Sequence, residues 1–83
     1  MSERMKIHVL KILPKYFNEV ASINKQFELR KDDRDYKVGD FLLFKEFADG
    51  EYTGRSFGCV QISYILRNCP EYGLMDGYCV LGW

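Results

Sequence analysis

The stretch Ile23-Asn24-Lys25-Gln26-Phe27-Glu28-Leu29-Arg30-Lys31-Asp32-Asp33-Arg34-Asp35-Tyr36-Lys37-Val38-Gly39-Asp40 is the most densely charged in the chain, and the rest is read outward from it. Its first half alternates, with Lys25, Phe27 and Leu29 on odd positions and Gln26, Glu28 and Arg30 on even ones. That is the period of a strand with one half-buried face. Residues two apart on a strand share a face, so Glu28 goes with Arg30 and Phe27 goes with Leu29. The expectation is that the apolar pair points to the core and the charged pair lines a cleft or a solvated edge. Lys25 falls in the loop at Asn24, a residue that tolerates a left-handed backbone. Charge then thickens through Arg30, Lys31, Asp32, Asp33, Arg34 and Asp35, and Val38-Gly39-Asp40 marks a sharp turn before an apolar run.

On the N-terminal side, Met5 to Ile12 reads as a strand with Ile7 and Val9 on one face and His8, Leu10 and Ile12 on the other. Apolar on both faces, it is expected in the middle of a sheet. Pro14 suits the first turn of a helix, where its missing N–H is no loss. Tyr16, Phe17, Val20 and Ala21 give that helix one apolar face to about Ser22, with core packing the first role for the aromatic pair. On the C-terminal side, Phe41-Leu42-Leu43-Phe44 with Phe47 has the pattern of a strand covered on both faces. Ala48-Asp49-Gly50-Glu51 is hairpin-turn chemistry. Tyr52-Thr53-Gly54-Arg55 follows as a loop or strand edge. A strand from Gly58 to Leu66 comes next, with Val60, Ile62 and Tyr64 on its buried face, then a loop from Arg67 to Leu74. A last strand, Gly77 to Trp83, is expected to dock its terminal aromatic.

About five strands and one helix in the N-terminal half, without regular strand-helix alternation, give an α+β, mostly β fold, a small mixed or antiparallel pseudo-barrel. At 83 residues the chain is expected to form one domain, 1–83. A hydrophobic content of 47% is too high for a disordered chain. The sequence carries neither an apolar run of membrane-spanning length nor an export signal, and the expectation is a cytoplasmic protein.

Cys59, Cys69 and Cys79 lack the close paired spacing of a zinc site, so no metal and no cofactor are expected. Cys59 and Cys79 lie in strand-like runs and read as buried, and Cys69 beside Pro70 reads as a loop thiol. His8, the single histidine, reads as a hydrogen-bonded wall residue. The formal net charge is zero, but the chain is polarised: up to Lys37 it has nine bases against six acids, and beyond it three against six. Strong nonspecific binding to duplex DNA is not expected from such a balance.

The run Asn24-Lys25-Gln26-Phe27-Glu28-Leu29-Arg30 resembles the Gly-x-Lys-x-x-Glu-x-Arg signature of ASCH domains (activating signal cointegrator homology), part of the PUA-like superfamily. His8-x-Leu10-Lys11-Ile12-x-Pro14-x-Tyr16-Phe17, Arg30-Lys31-x-Asp33-Arg34-x-Tyr36-x-Val38-Gly39-Asp40, Tyr52-Thr53-Gly54-Arg55 and Asp76-Gly77-Tyr78 extend the similarity to a short bacterial and phage branch of unknown function. The resemblance implies a PUA-like pseudo-barrel, an early helix packed against its mouth, and a cleft beside Lys25-x-x-Glu28-x-Arg30. Asn24 would supply the left-handed position of the family glycine.

Three functions follow as expectations. The first is a non-enzymatic module that binds RNA or a nucleotide. In it the Arg30 guanidinium offers planar bidentate donors, Glu28 accepts from an exocyclic amine or anchors the arginine, and Lys25, Lys31, Arg34 and Arg55 add charge. Tyr36 or Tyr52 would provide a stacking surface. The second is a small hydrolase acting on modified nucleosides, as the resemblance to amidohydrolase members of the family implies. There a lysine activates a threonine three residues on, and here that position is Glu28, so Lys25 would act as base with Glu28 or Thr53 in an altered role. The third is a protein-interaction domain.

Overall fold

In a computed structural model describing residues 5–83, the chain forms six strands, one α-helix and one short 3-10 helix. These are β1 (Ile7–Ile12), α1 (Pro14–Ala21), β2 (Phe27–Lys31), β3 (Phe41–Ala48), β4 (Glu51–Gln61), β5 (Tyr64–Leu66), a 3-10 turn (Pro70–Tyr72) and β6 (Tyr78–Gly82). The fold is α+β and mostly β, with one strand more than the sequence suggested. It consists of two three-stranded sheets, β1-β3-β4 and β2-β6-β5, and no closed barrel. Pairing is antiparallel throughout except between β1 and β3, so the molecule is mixed.

The apolar run from Phe41 behaves as its pattern requires. It becomes β3, the middle strand of the first sheet, with Leu42 and Phe44 fully buried. Asp49 and Gly50 both take positive φ, 54° and 81°, the geometry of a type I′ hairpin turn into β4. The helix buries Phe17 and Val20 and packs on β3 and β4. Together with Leu10, Ile12, Ile62, Cys79 and Leu81 these side chains form the core between the sheets. Trp83 packs on Phe44, with ring centroids 5.3 Å apart, and its backbone N–H donates to the Gln26 carbonyl.

Several expectations are corrected. β1 lies at the edge of its sheet, so Ile7 and Val9 are exposed while His8, Leu10 and Ile12 face inward. Its free edge is capped from β2 and the loop that follows it: Arg34 Nη1 donates to the Val9 carbonyl at 2.7 Å, and Arg30 Nη2 donates to the Lys11 carbonyl. The span expected as one strand, Gly58 to Leu66, is two, because the chain leaves the first sheet after Gln61 and enters the second at Tyr64. Tyr64 is therefore exposed. Cys59 is exposed and Cys69 buried, the reverse of expectation, because Cys69 tucks beneath the 3-10 turn that it caps.

The largest correction is the facing of β2. Glu28 is buried, at 7% exposure, whereas Phe27 and Leu29 are about half exposed. Antiparallel pairing sets Glu28 opposite the buried Leu81, which fixes the even positions inward. Phe27, Leu29 and Lys31 consequently share an outer face with Tyr64, Leu66, Tyr78 and Val80. The left-handed residue of the preceding loop is Ile23, φ 69°, and not Asn24. Ile23 is two residues before Lys25, the place that a Gly-x-Lys pattern gives to glycine. It follows directly on the helix, its N–H donating to the Val20 carbonyl, and Lys25 N–H returns to Glu19.

Candidate functional site

Turning Glu28 inward places a carboxylate in the protein interior, and such a group must be paired. Both oxygens are. Lys25 Nζ donates to Glu28 Oε1, and Arg30 Nη2 lies 3.2 Å from Oε2. The three side chains are 16%, 9% and 23% exposed, so they form a half-enclosed cluster and not a solvated strand edge. Arg30 reaches further, to the carbonyl of Lys11, and so ties the cluster to β1. Lys25 and Glu28 open onto a cleft of about 380 Å³ lined also by Tyr16, Phe27 and Leu29. Lys25 Nζ sits 5.4 Å from the Tyr16 ring centroid and 5.1 Å from that of Phe27, in reach of both rings. The result is a charged floor, able to donate and accept hydrogen bonds, between two aromatic walls.

Sequence reasoning assigned both walls to the core. Tyr16 sits at the margin of the helix's apolar stripe, next to Phe17, and is 41% exposed; its phenol was the available signal, being ill suited to a fully apolar core. Phe27 was assigned to the core with the rest of its face.

The remaining site residues divide. Arg34 caps β1, and Lys31 points to the outer face of β2, away from Glu28. Tyr36 is buried, at 2% exposure, with its ring 4.7 Å from that of His8, and it offers no stacking surface. Burial raises its phenol above the ordinary value. His8 Nε2 lies 2.8 Å from Asp40 Oδ2, as a wall histidine should. Asp40 also accepts from the backbone N–H groups of Lys6 and Lys37. Burial alone would push its carboxyl up; the His8 contact and the two N–H donors outweigh that and hold it below the usual value.

Tyr52 and Arg55 belong to the other sheet. Between the pairs Lys45–Ser56 and Phe47–Tyr52, β3 contributes Glu46 alone and β4 contributes Thr53, Gly54 and Arg55. Gly54, φ 93°, carries the bulge that this mismatch requires. Thr53 Oγ1 and Arg55 Nη1 thereby both reach the buried Glu46 carboxylate, at 2.7 and 3.0 Å. Arg55 also lies over the Phe17 ring, 4.6 Å from its centroid, and donates to Asn18 Oδ1 at 3.4 Å. Thr53 is thus engaged by Glu46, while Lys25 is engaged by Glu28. Glu46 was a residue to notice in the sequence, because it shares its strand face with Leu42 and Phe44.

Among the described residues no group of three or more His, Cys, Asp or Glu is placed to hold a metal ion, and no helix is long and apolar enough to cross a membrane. Fold and site together define a small mixed two-sheet domain with a charged, aromatic-walled cleft. Residues 7–83 match the family described as "Domain of unknown function (DUF3850)", and the chain belongs to that family. It is also similar to a protein of Escherichia phage P2, "Uncharacterized 12.9 kDa protein in GpA 3'region", with 46% identity over 50 residues. That match takes in 60% of this chain and 46% of the phage protein, so the chain spans under half the length of this relative.

Proposed function

We propose that the protein is a PUA-like module of the ASCH type that binds RNA or a nucleotide, receiving a base in the Lys25–Glu28 cleft. The observation that carries this reading is the placement of a paired ammonium and carboxylate at the floor of a cleft walled by Tyr16 and Phe27. Aromatic walls suit any base, since every base has a π-face. The floor adds selectivity: Glu28 accepts from an exocyclic amine, and Lys25 donates to a ring carbonyl or to phosphate. Arg30 acts from behind, holding Glu28 and the Lys11 carbonyl, and has the role of a positioning residue. Lys25 and Glu28 thus keep the places given them from sequence, while Tyr16 and Phe27 take over the stacking assigned to Tyr36 and Tyr52.

The test is binding of free nucleosides and of short single-stranded RNA to the wild type, Lys25→Ala and Glu28→Gln at two salt concentrations. Saturable nucleoside binding that both substitutions weaken supports the reading. Unchanged affinity in both variants sinks it. Incubation with N4-acetylcytidine in the same series separates binding from hydrolysis, since release of cytidine abolished by Lys25→Ala would assign an enzyme to the cleft.

A further inference from the structure

The outer face of the first sheet carries two lysines side by side. Lys11 on β1 is in register with Lys45 on β3, both are exposed, and neither forms an ion pair among the described residues. Like charges on neighbouring strands repel, so their adjacency stands at a cost unless an anion lies across them. Beside them Phe47 and Tyr52 face each other across the hairpin, edge to face at 5.2 Å. Lys11 Nζ lies 4.6 Å from the Phe47 centroid and 5.9 Å from that of Tyr52, and Lys45 Nζ lies 5.7 Å from Tyr52. Tyr52, half exposed, therefore stands between two ammonium groups. The β4 bulge opens a hollow of about 240 Å³ next to it, lined by Lys45, Tyr52, Gly54, Arg55 and Ser56. A base-sized ring platform, two cations with no carboxylate partner among the described residues and an adjoining hollow are the components of single-strand recognition.

We infer that this face is a second contact for a single strand of RNA, with Lys11 and Lys45 taking the phosphodiester backbone and Tyr52 stacking a base. The inference rests on the cleft reading and extends it, because Arg30 joins the two places: one guanidinium touches both Glu28 and the Lys11 carbonyl. With zero formal net charge, the attraction is local to this patch and short-ranged in salt.

The test compares the wild type with the Lys11→Gln/Lys45→Gln double variant and with Tyr52→Ala, each titrated with a labelled single-stranded octaribonucleotide and with free nucleosides. All three positions are on the surface, so the variants are expected to fold. The double variant should lose about tenfold in octamer affinity at low salt, and its salt slope should fall by roughly 1.4, two phosphates at about 0.7 each. Tyr52→Ala should lose at least about fivefold, and nucleoside affinity should stay at the wild-type level in both. Wild-type octamer affinity and slope in the double variant would overturn the second contact while leaving nucleoside binding to uphold the cleft. Lysine-dependent octamer binding without any nucleoside binding would instead sink the cleft and retain the patch. Displacement of the octamer by polyglutamate at equal charge would assign the face to acidic polypeptide and overturn the RNA assignment.

Discussion

Glu28 and Glu46 are both strand glutamates turned inward, both more than nine-tenths buried and both held by an arginine, yet they are completed differently. Glu46 is closed by a neighbouring strand that bulges to meet it, with a hydroxyl on one oxygen, a guanidinium on the other and Phe17 of the helix against that guanidinium. Glu28 is completed by its own sequence neighbours, Lys25 and Arg30, and faces a cleft. A carboxylate enclosed by separate elements welds those elements together. One partnered from its own strand and loop can exchange a partner for a ligand with no rearrangement of the sheets. The contrast sets Glu46, which joins a strand, its bulged neighbour and the helix, apart from Glu28, which stands at the floor of a cleft.

Breaking the closed site should have the largest effect on stability. Arg55→Ala leaves Glu46 with Thr53 as its remaining side-chain partner, and because Arg55 is itself more than half exposed, urea unfolding should show a loss of about 2 kcal/mol, with nucleoside affinity unchanged. Glu28→Gln should differ in its binding readout, weakening nucleoside binding by about tenfold, in line with loss of a charged hydrogen bond, while unfolding stability falls by about 1–2 kcal/mol because Lys25 and Arg30 lose their shared carboxylate. Arg34→Ala removes only the cap on the Val9 carbonyl. It should cost about 1 kcal/mol and accelerate hydrogen exchange along β1.

Ile23→Gly sharpens the comparison from the other side, since Ile23 starts the loop that delivers Lys25. A β-branched residue at φ 69° is strained, and this one is 65% exposed, so glycine there gives up little packing. Unfolding stability should rise by about 0.5–1 kcal/mol, and Lys25-dependent binding should persist.

A third buried carboxylate, Asp40, is closed like Glu46, by His8 and two backbone amides. Its folded value lies below the ordinary 3.8, so its stabilisation is complete above that pH and is lost as pH falls through the lower folded value. Asp40→Asn should flatten the acid limb of the stability profile below about pH 4.

Much of the fold was legible because its signals are local. The Asp49-Gly50 turn, the apolar β3 run and the Pro14-initiated helix each specify their own geometry. The facing of β2 was not. Alternation tells which residues share a face, and it correctly kept Glu28 with Arg30, but it does not tell which face is inside. Here the charged face goes in because Lys25 and Arg30 satisfy both oxygens of Glu28 and Arg30 also finds a carbonyl on β1, a partner 19 residues away in sequence. Lys25 and Glu28 do line the cleft beside their motif, whereas Tyr16 and Phe27, assigned to the core, line it through the meeting of a helix and a strand that no local pattern reveals. Tyr36 was misread because its burial against His8 is again a contact between distant segments.

The measurement that bears most directly on this account is a nucleoside titration followed through the ring proton signals of Tyr16 and Phe27, in the wild type, Glu28→Gln and Glu46→Gln. Saturable shifts are expected at both rings in the wild type and in Glu46→Gln so long as it remains folded, and much weaker ones in Glu28→Gln. Rings that do not respond, or that respond equally with Glu28 replaced, would contradict it.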